Sequence, residues 1–254
     1  MATGLYPLAQ MARLIGGTKV VVVDVVPPGT DPLTFHPDAA QARVLTGSGL
    51  VVEIGGGFQP GLESATAGAS MVERVGSDVH ATDPYVWLDP PTMEKVVTAM
   101  AAAMGRADPQ AAPLFERNAG GLDDQIQSLG YDYSNTLSSC PGNTMVTADS
   151  AFSTMAAGYG LEDHITGPAP DQATVSRIRA ALPADSPVAA IGESWVDDAG
   201  LNQVAQATGL KVHTVDTLAG TPTNVTGQQA TYFSQMEKNL GAISGALGCN
   251  ANEQ

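Results

Sequence analysis

Three acidic residues, a histidine and a tyrosine stand near the ends of predicted strands, where parallel α/β proteins bind their ligands. His36 follows the first predicted strand, and Tyr85 lies just before a predicted helix. Asp149, Glu193 and Asp216 each come at the end of a later predicted strand. We therefore expect these five side chains to converge on one cleft, with imidazole, phenol and carboxylate groups available to a bound ligand.

A structural interpretation also exists for several of these positions. Asp83 and Asp149 precede predicted helices and are of a type that caps helix N-termini. Trp87 is of a type that lies in protein cores. Each residue alone favours this interpretation, and only the shared position at strand ends favours a binding site.

Catalysis is not predicted. The sequence has no G-x-G-x-x-G, no Walker A segment, no G-x-S-x-G and no H-E-x-x-H. A hydrolase that used Asp149 and Glu193 would need a nucleophile paired with a base, and the sequence offers no such pair. The pattern therefore indicates a binding protein rather than an enzyme.

The composition excludes several classes of partner. The 254 residues include 11 Lys and Arg and 26 Asp and Glu, which gives a net charge of −15. A chain this acidic lacks the clustered cations that nucleic acids and anionic lipids require. Hydrophobic residues make up 43% of the chain, enough for a packed core. No apolar run reaches the roughly 18 residues that a membrane-spanning helix needs.

Predicted strands alternate with predicted helices along the chain. The strands are residues 19–26, a β-branched run expected to be buried, and residues 49–54, 144–147, 188–191 and 210–215. The helices are residues 37–45, 91–104, 150–159, 172–182 and 201–208. This alternation is typical of an α/β fold with parallel sheets.

A helical pattern of about 20 residues separates the two β/α halves. Its apolar positions are Ala112, Phe115, Ala119, Leu122, Ile126 and Leu129. This period predicts one long connecting helix, in which Gly120-Gly121 is an unfavourable pair. The predicted organisation is an N-terminal lobe of residues 1–108, a connecting helix of residues 109–131 and a C-terminal lobe of residues 132–254. Each lobe is expected to be a mostly parallel sheet with flanking helices.

Several segments resemble the zinc- and manganese-binding solute-binding proteins of bacterial ABC transporters. The most specific segment is Asp83-Pro84-x-Val86-Trp87-Leu88-Asp89-Pro90. Weaker segments in the family's order are Tyr6-Pro7-Leu8, Ile15-Gly16-Gly17, Pro28-Gly29-Thr30-Asp31-Pro32, Ala151-Phe152, Tyr159-Gly160-Leu161 and Asn239-Leu240. The resemblance covers nearly the whole chain. It implies two α/β lobes joined by one long helix, with a single metal site.

Most of the family's ligand positions are substituted in this sequence. The resemblance implies histidine, histidine, histidine or glutamate, and aspartate at positions that hold Leu33, Tyr85, Asp149 and Asp216. Leu33 cannot bind a metal, and His36 lies three residues later. If residues 33–36 begin a helix, the two positions share a face, and His36 then partly replaces the missing ligand.

The remaining donors are one imidazole, one phenol and two or three carboxylates. They belong to His36, Tyr85, Asp149, Asp216 and Glu193. Oxygen donors suit harder ions such as Mn²⁺ better than Zn²⁺, and a phenolate also suits Fe³⁺. The ligand implied by the resemblance is therefore one transition-metal ion, namely zinc, manganese or iron. The alternative is a metal-free cleft in which Tyr85 hydrogen-bonds Asp149 or Asp216.

The two cysteines, Cys140 and Cys249, allow two interpretations. Composition alone leaves open a pair of buried thiols, as in a cytosolic protein, and a disulfide, as in an exported one. Both cysteines lie in segments that resemble actinobacterial members of the family, which works outside the cytosol. We therefore expect a disulfide between Cys140 and Cys249.

The resemblance also implies a role and a location. We expect an extracytoplasmic solute-binding component of an ABC importer, with a membrane permease as its partner and no nucleic acid. We expect a monomer, either tethered by a lipid on a cysteine upstream of this sequence or free in the periplasm or cell wall, with its signal segment also upstream. The alternative is a non-transporting relative, a surface interaction or structural protein with a decayed metal site.

Overall fold

The computed structural model describes residues 1–79, 83–193, 198–220 and 231–249. The chain forms two compact units, Met1–Ser128 with Leu218–Tyr232 and Leu129–Thr217 with Phe233–Gln254. Each unit is built on a four-stranded parallel sheet with flanking helices, which confirms the predicted α/β fold. No helix in the described ranges is both long enough and apolar enough to cross a membrane.

The sheet of the first unit has the strand order β2-β1-β3-β4, and every neighbouring pair is parallel. Its strands are β1 Ala2–Thr3, β2 Val23–Asp24, β3 Val51–Glu53 and β4 Val72–Arg74. Its helices are α1 Tyr6–Gly16, α2 Ala39–Gly47, α3 Pro60–Ala65, α4 Val75–Asp78 and α5 Pro90–Ala107, with short 3-10 turns at Gly17–Lys19 and Val86–Leu88. A core in this unit is formed by Ala2, Val25, Leu45, Val51 and Leu62.

The prediction of a buried strand at residues 19–26 is wrong in both length and burial. Only Val23–Asp24 is strand, and it lies at the edge of the sheet. Val21 is 81% exposed. An edge strand has a neighbouring strand on one side only, so its other side lies open and a β-branched run there need not be buried.

The Asp-Pro pair at the end of the most specific family segment starts a helix. The Asp89 carboxylate accepts hydrogen bonds from the Thr92 N–H (3.1 Å) and the Thr92 hydroxyl (2.6 Å), and Pro90 is the first residue of α5. Proline is favoured there because its missing N–H would have no intrahelical partner. Trp87 is completely buried, and its carbonyl accepts a 2.7 Å hydrogen bond from the Tyr232 hydroxyl.

The sheet of the second unit has the order β6-β5-β7-β8 and is also parallel throughout. Its strands are β5 Thr144–Thr147, β6 Glu162–Ile165, β7 Val188–Glu193 and β8 Val212–Val215. The helices that follow β5 are α7 Ser153–Gly158, α8 Gln172–Ala181, α9 Ala199–Thr208 and α10 Tyr232–Ala246. A core between this sheet and its helices is formed by Val146, Val175, Ile178, Ala190, Leu201 and Val204.

One long helix, α6 Ala112–Ser138, links the two lobes. Its buried residues recur at helical spacing and are Phe115, Ala119, Leu122, Ile126, Leu129, Tyr133 and Leu137. Gly120 and Gly121 lie on its exposed side, where they interrupt no packing. The helix is longer than the predicted pattern because Tyr133 and Leu137 continue the buried stripe. The Tyr133 hydroxyl donates a 2.8 Å hydrogen bond to the Met236 carbonyl within the second unit.

The predicted disulfide is confirmed. Cys140 and Cys249 are bonded, with their Cα atoms 4.2 Å apart. Beside them the Gly142 N–H donates to the Leu247 carbonyl at 3.3 Å, which joins the segment after α6 to the end of α10. Gly248 has a φ of 77°, in the left-handed region where glycine is favoured. This turn leads the chain into Cys249.

Candidate functional site

The segment after β2 forms a turn rather than the start of a helix. The Asp31 carboxylate accepts a 2.9 Å hydrogen bond from the Leu33 N–H and a 3.0 Å bond from the Thr34 hydroxyl, as Asp does in turns. Helix α2 begins only at Ala39, with Asp38 as its N-cap. The suggestion that positions 33 and 36 share a helical face is therefore wrong.

His36 is exposed on this turn, and its ring has a defined tautomer. Its Nδ1 lies 2.9 Å from the Thr34 carbonyl oxygen. A carbonyl can only accept, so Nδ1 carries a hydrogen, and the neutral form of the ring has its lone pair on Nε2. Neutral histidine held in this way is a suitable metal ligand through Nε2.

Gly61, on α3, allows the segment that carries His36 to lie close to that helix. A Cβ added to Gly61 would lie 2.3 Å from the Phe35 carbonyl oxygen and 3.1 Å from the His36 ring. Any larger residue would therefore displace the backbone that carries His36.

Tyr85 lies in a three-ring aromatic cluster of the first unit. Its ring centroid is 5.3 Å from that of Phe58 and 5.5 Å from that of Trp87, and the Phe58 and Trp87 centroids are 5.8 Å apart. The half-buried Tyr85 donates its N–H to the Asp83 carboxylate at 2.9 Å. Asp83 thus stabilises a turn and does not cap a helix. Ring packing of this kind fixes the direction of the phenol.

Three of the predicted site residues lie at one edge of the second sheet. Asp149, Glu193 and Asp216 are at or just beyond the carboxyl ends of β5, β7 and β8, which are adjacent strands. All three carboxylates interact electrostatically, because Asp149 and Asp216 both raise the pKa of Glu193. His36 and Tyr85 belong to the first unit, and they lie on separate loops there.

Glu193 is the most perturbed of these acids. Its pKa is raised to about 7, first by burial and next by the charge of Asp149, with smaller contributions from Asp198 and Asp216. The Thr217 hydroxyl, which donates to its Oε2 at 3.1 Å, partly offsets this rise. No Lys or Arg of the described chain forms an ion pair with Glu193. The edge of the sheet therefore concentrates negative charge that a bound cation would neutralise.

Asp149 is exposed and sits in a loop of defined shape. Its Oδ1 accepts a 2.8 Å hydrogen bond from the Ala151 N–H. Since α7 begins only at Ser153, Asp149 is not the N-cap of that helix. The strand before the loop is held by Asp163, whose two carboxylate oxygens accept hydrogen bonds from the Thr147 hydroxyl (2.7 Å) and the Ser153 hydroxyl (2.8 Å).

Two polar residues around Glu193 and Asp216 were not predicted. Asp198 is nearly buried and accepts a 2.7 Å hydrogen bond from the Glu193 N–H. Thr217 is buried beside Asp216 and bonds Glu193. Asp198 comes directly before α9, so in the sequence it resembles an ordinary helix N-cap. Only the fold brings its side chain to the end of β7.

The described residues contain no compact group of metal-binding side chains. Within the part of the chain that the structure describes, no three His, Cys, Asp or Glu side chains are grouped closely enough to hold an ion.

The raised pKa of Glu193 predicts that stability falls with rising pH. Below pH 4.5, the ordinary pKa of a glutamate, Glu193 is protonated in both the folded and the unfolded protein. Between about pH 4.5 and 7 Glu193 is ionised in the unfolded protein but still protonated in the folded one, so the folded state loses stability as the pH rises. The loss should be about 3 kcal/mol. Glu193→Gln should remove it, so the metal-free variant should unfold at a higher temperature than the native protein at pH 8. Glu162→Gln, at an exposed carboxylate of β6, is the matched control. An equal pH dependence in native protein and Glu193→Gln would contradict this expectation.

Known proteins share both the sequence pattern and the fold. The zinc-binding lipoprotein AdcA of Streptococcus pneumoniae (strain ATCC BAA-255 / R6) is 24% identical over 273 residues, covering 96% of this chain and 54% of AdcA. The chain spans about half the length of the curated relatives it matches. One similar solved structure is the periplasmic zinc-binding protein TroA of Treponema pallidum, with a TM-score of 0.82 and 19% identity over 97% of this chain and 98% of TroA. Another is the solute-binding protein FpvC of Pseudomonas aeruginosa in complex with Mn²⁺, with a TM-score of 0.81 and 20% identity over 97% of each chain.

A family model gives the assignment. The model described as zinc-uptake complex component A, periplasmic (ZnuA), matches residues 1–246. This match spans both sheets and the linking helix, and it agrees with the resemblance of the strand-end segments. The chain therefore belongs to the ZnuA family.

Proposed function

We propose that this chain is the extracytoplasmic metal-binding component of an ABC importer and that its metal site is rich in oxygen ligands. The observation that carries the proposal is the placement of Asp149, Glu193 and Asp216 at the carboxyl ends of the adjacent strands β5, β7 and β8. Burial, and after it repulsion from the charges of Asp149 and Asp216, raises the pKa of Glu193 to about 7. A divalent cation would relieve that repulsion, so the same charges that destabilise the metal-free protein favour an ion.

The donors suggest which ions are held well. His36 offers one neutral nitrogen, and Tyr85 offers a phenol whose ordinary pKa is about 10. The other candidates are carboxylates. Such a set suits Mn²⁺, or Fe³⁺ where the phenol is ionised, better than Zn²⁺, which favours nitrogen and sulfur. Leu33 offers no donor, and its N–H is used in the Asp31 turn.

The family assignment supports the transport role. The named relatives are a zinc-binding lipoprotein, a periplasmic zinc-binding protein and a solute-binding protein seen with Mn²⁺. We propose the same location for this chain, outside the cytoplasmic membrane, with an ABC permease as its partner. The role needs no catalysis, since the protein only captures and releases the ion.

Metal binding by the native protein tests the proposal. Protein purified without chelator should contain a transition metal, and calorimetry should show one Mn²⁺ or Fe³⁺-chelate site per chain with a weaker response to Zn²⁺. Asp216→Ala should weaken binding at least about tenfold, as loss of a charged ligand does. Asp185→Ala, at an acid outside the strand-end group, should leave binding unchanged. Absence of every metal in the purified protein and in calorimetry would instead favour a non-transporting surface or structural protein with a decayed site.

A further inference from the structure

The backbone of Asp216 is held by the side chain of one buried residue. Asn239, on α10, is only 2% exposed. Its Oδ1 accepts a 3.0 Å hydrogen bond from the Asp216 N–H, and its Nδ2 donates a 2.7 Å bond to the Asp216 carbonyl. The amide thus pairs with both main-chain groups of one residue, as a neighbouring strand would.

The orientation of this amide is determined by its partners. The Oδ1 atom faces the Asp216 N–H and also receives a 3.4 Å contact from the Gln235 Nε2, whereas Nδ2 faces a carbonyl. The flipped amide would place donor against donor and acceptor against acceptor. Asn239 therefore has one satisfied orientation, and a carboxylate or an aliphatic side chain could not reproduce it.

The residues after Asp216 show that the chain turns sharply at this point. Thr217 is buried and donates its hydroxyl to Glu193 at 3.1 Å. Leu218 is a buried non-glycine residue with a φ of 59°, in the left-handed region that such residues rarely adopt. Backbone of this kind persists only where surrounding contacts hold it.

We infer that Asn239 is a positioning residue for the metal site: it fixes the main chain of Asp216 so that the carboxylate leaves the end of β8 in one direction. This inference rests on the proposed function and deepens it. It gives the Asn239-Leu240 pair, which the sequence offered only as a weak family segment, a physical role. Residues that orient metal ligands typically change metal affinity by about 10- to 100-fold when they are replaced.

The test compares Asn239→Leu and Asn239→Asp with two controls. Gln235→Leu removes only the weak contact to Asn239, and Val175→Ala lowers stability in the core of the same unit. Mn²⁺ and Zn²⁺ titrations should show at least about a tenfold loss of affinity for both Asn239 variants and none for either control. Hydrogen exchange of the Asp216 amide in metal-free protein should be at least about fivefold faster in Asn239→Leu than in Val175→Ala of equal stability.

The outcomes separate this inference from the proposed function. Native protein that binds metal, with affinity unchanged by Asn239→Leu, would overturn the inference alone. The inference would also be overturned if Val175→Ala lost as much metal affinity as an Asn239 variant of equal stability. Asn239 would then act on the site only through the stability of the unit. Native protein that binds neither ion would refute the proposed function and, with it, the positioning of a metal ligand. An unchanged exchange rate at Asp216 would show that Asn239 does not hold that backbone.

Discussion

Replacing Leu33, Tyr85 and Asp149 together by histidine is expected to raise the affinity for Zn²⁺ by about a hundredfold or more, which corresponds to roughly 3 kcal/mol. The triple variant restores nitrogen donors at the three positions where the family resemblance implies them. Asp216 already provides the fourth, an aspartate.

The expected gain follows from the chemistry of each replacement. At position 33 an aliphatic side chain becomes an imidazole. At position 85 the imidazole replaces a phenol that binds as a phenolate only after losing a proton of pKa about 10. At position 149 a neutral ring replaces the charge that, after burial, contributes most to the raised pKa of Glu193. Zinc favours nitrogen donors, so all three changes act in the same direction.

Calorimetry with Zn²⁺ and Mn²⁺ on the native protein and the triple variant measures the effect. A matched control places three histidines on separate helices at the exposed residues Leu14, Val44 and Tyr131. This control should leave Zn²⁺ affinity at the native level. Tight zinc binding by the native protein that survives Asp216→Ala would show that the site lies elsewhere.

The fold could be predicted wherever burial leaves a local signal. Strands β5 and β7 contain runs of buried residues, and β8 ends in the buried Val215. All three strands were predicted to within two residues at both boundaries. The missed strands, β1, β4 and β6, are two to four residues long, and β6 has the sequence Glu-Asp-His-Ile. Hydrogen bonds to neighbouring strands define such segments, and a single sequence does not display those bonds.

The site could be predicted only in part. Strand ends can be found from sequence, and the fold places Asp149, Glu193 and Asp216 at the ends of adjacent strands. That these three acids share one site with His36 and Tyr85 stays a prediction. The support around them depends on tertiary contacts: Asn239 reaches Asp216 across 23 positions, and Thr217 reaches Glu193 across 24. No local pattern encodes such a pairing. The turn at Asp31 was also missed, because its side-chain bonds to Leu33 and Thr34 compete with the helix that the spacing suggested.

Breaking the Cys140–Cys249 disulfide is expected to cause a large loss of stability. The bond joins positions 109 residues apart, and closing a loop of that length restricts the unfolded chain by about 4–5 kcal/mol in the chain-entropy model. The folded state keeps much of the local arrangement without it, since Gly142 still bonds the Leu247 carbonyl and Leu247 is fully buried. The effect should therefore appear mainly through the unfolded state.

The double variant Cys140→Ser, Cys249→Ser should unfold about 10 °C or more below the native protein in calorimetry, given the usual 2–4 °C per kcal/mol for domains of this size. Each single variant should lose as much stability as the double variant, because either one opens the loop, whereas the losses of two independent contacts would add.

Unreduced native protein should show no free thiol after denaturation, and reduction should lower its unfolding temperature to that of the double variant. Two reactive thiols in unreduced protein, or equal unfolding temperatures with and without reductant, would refute the bond or its contribution.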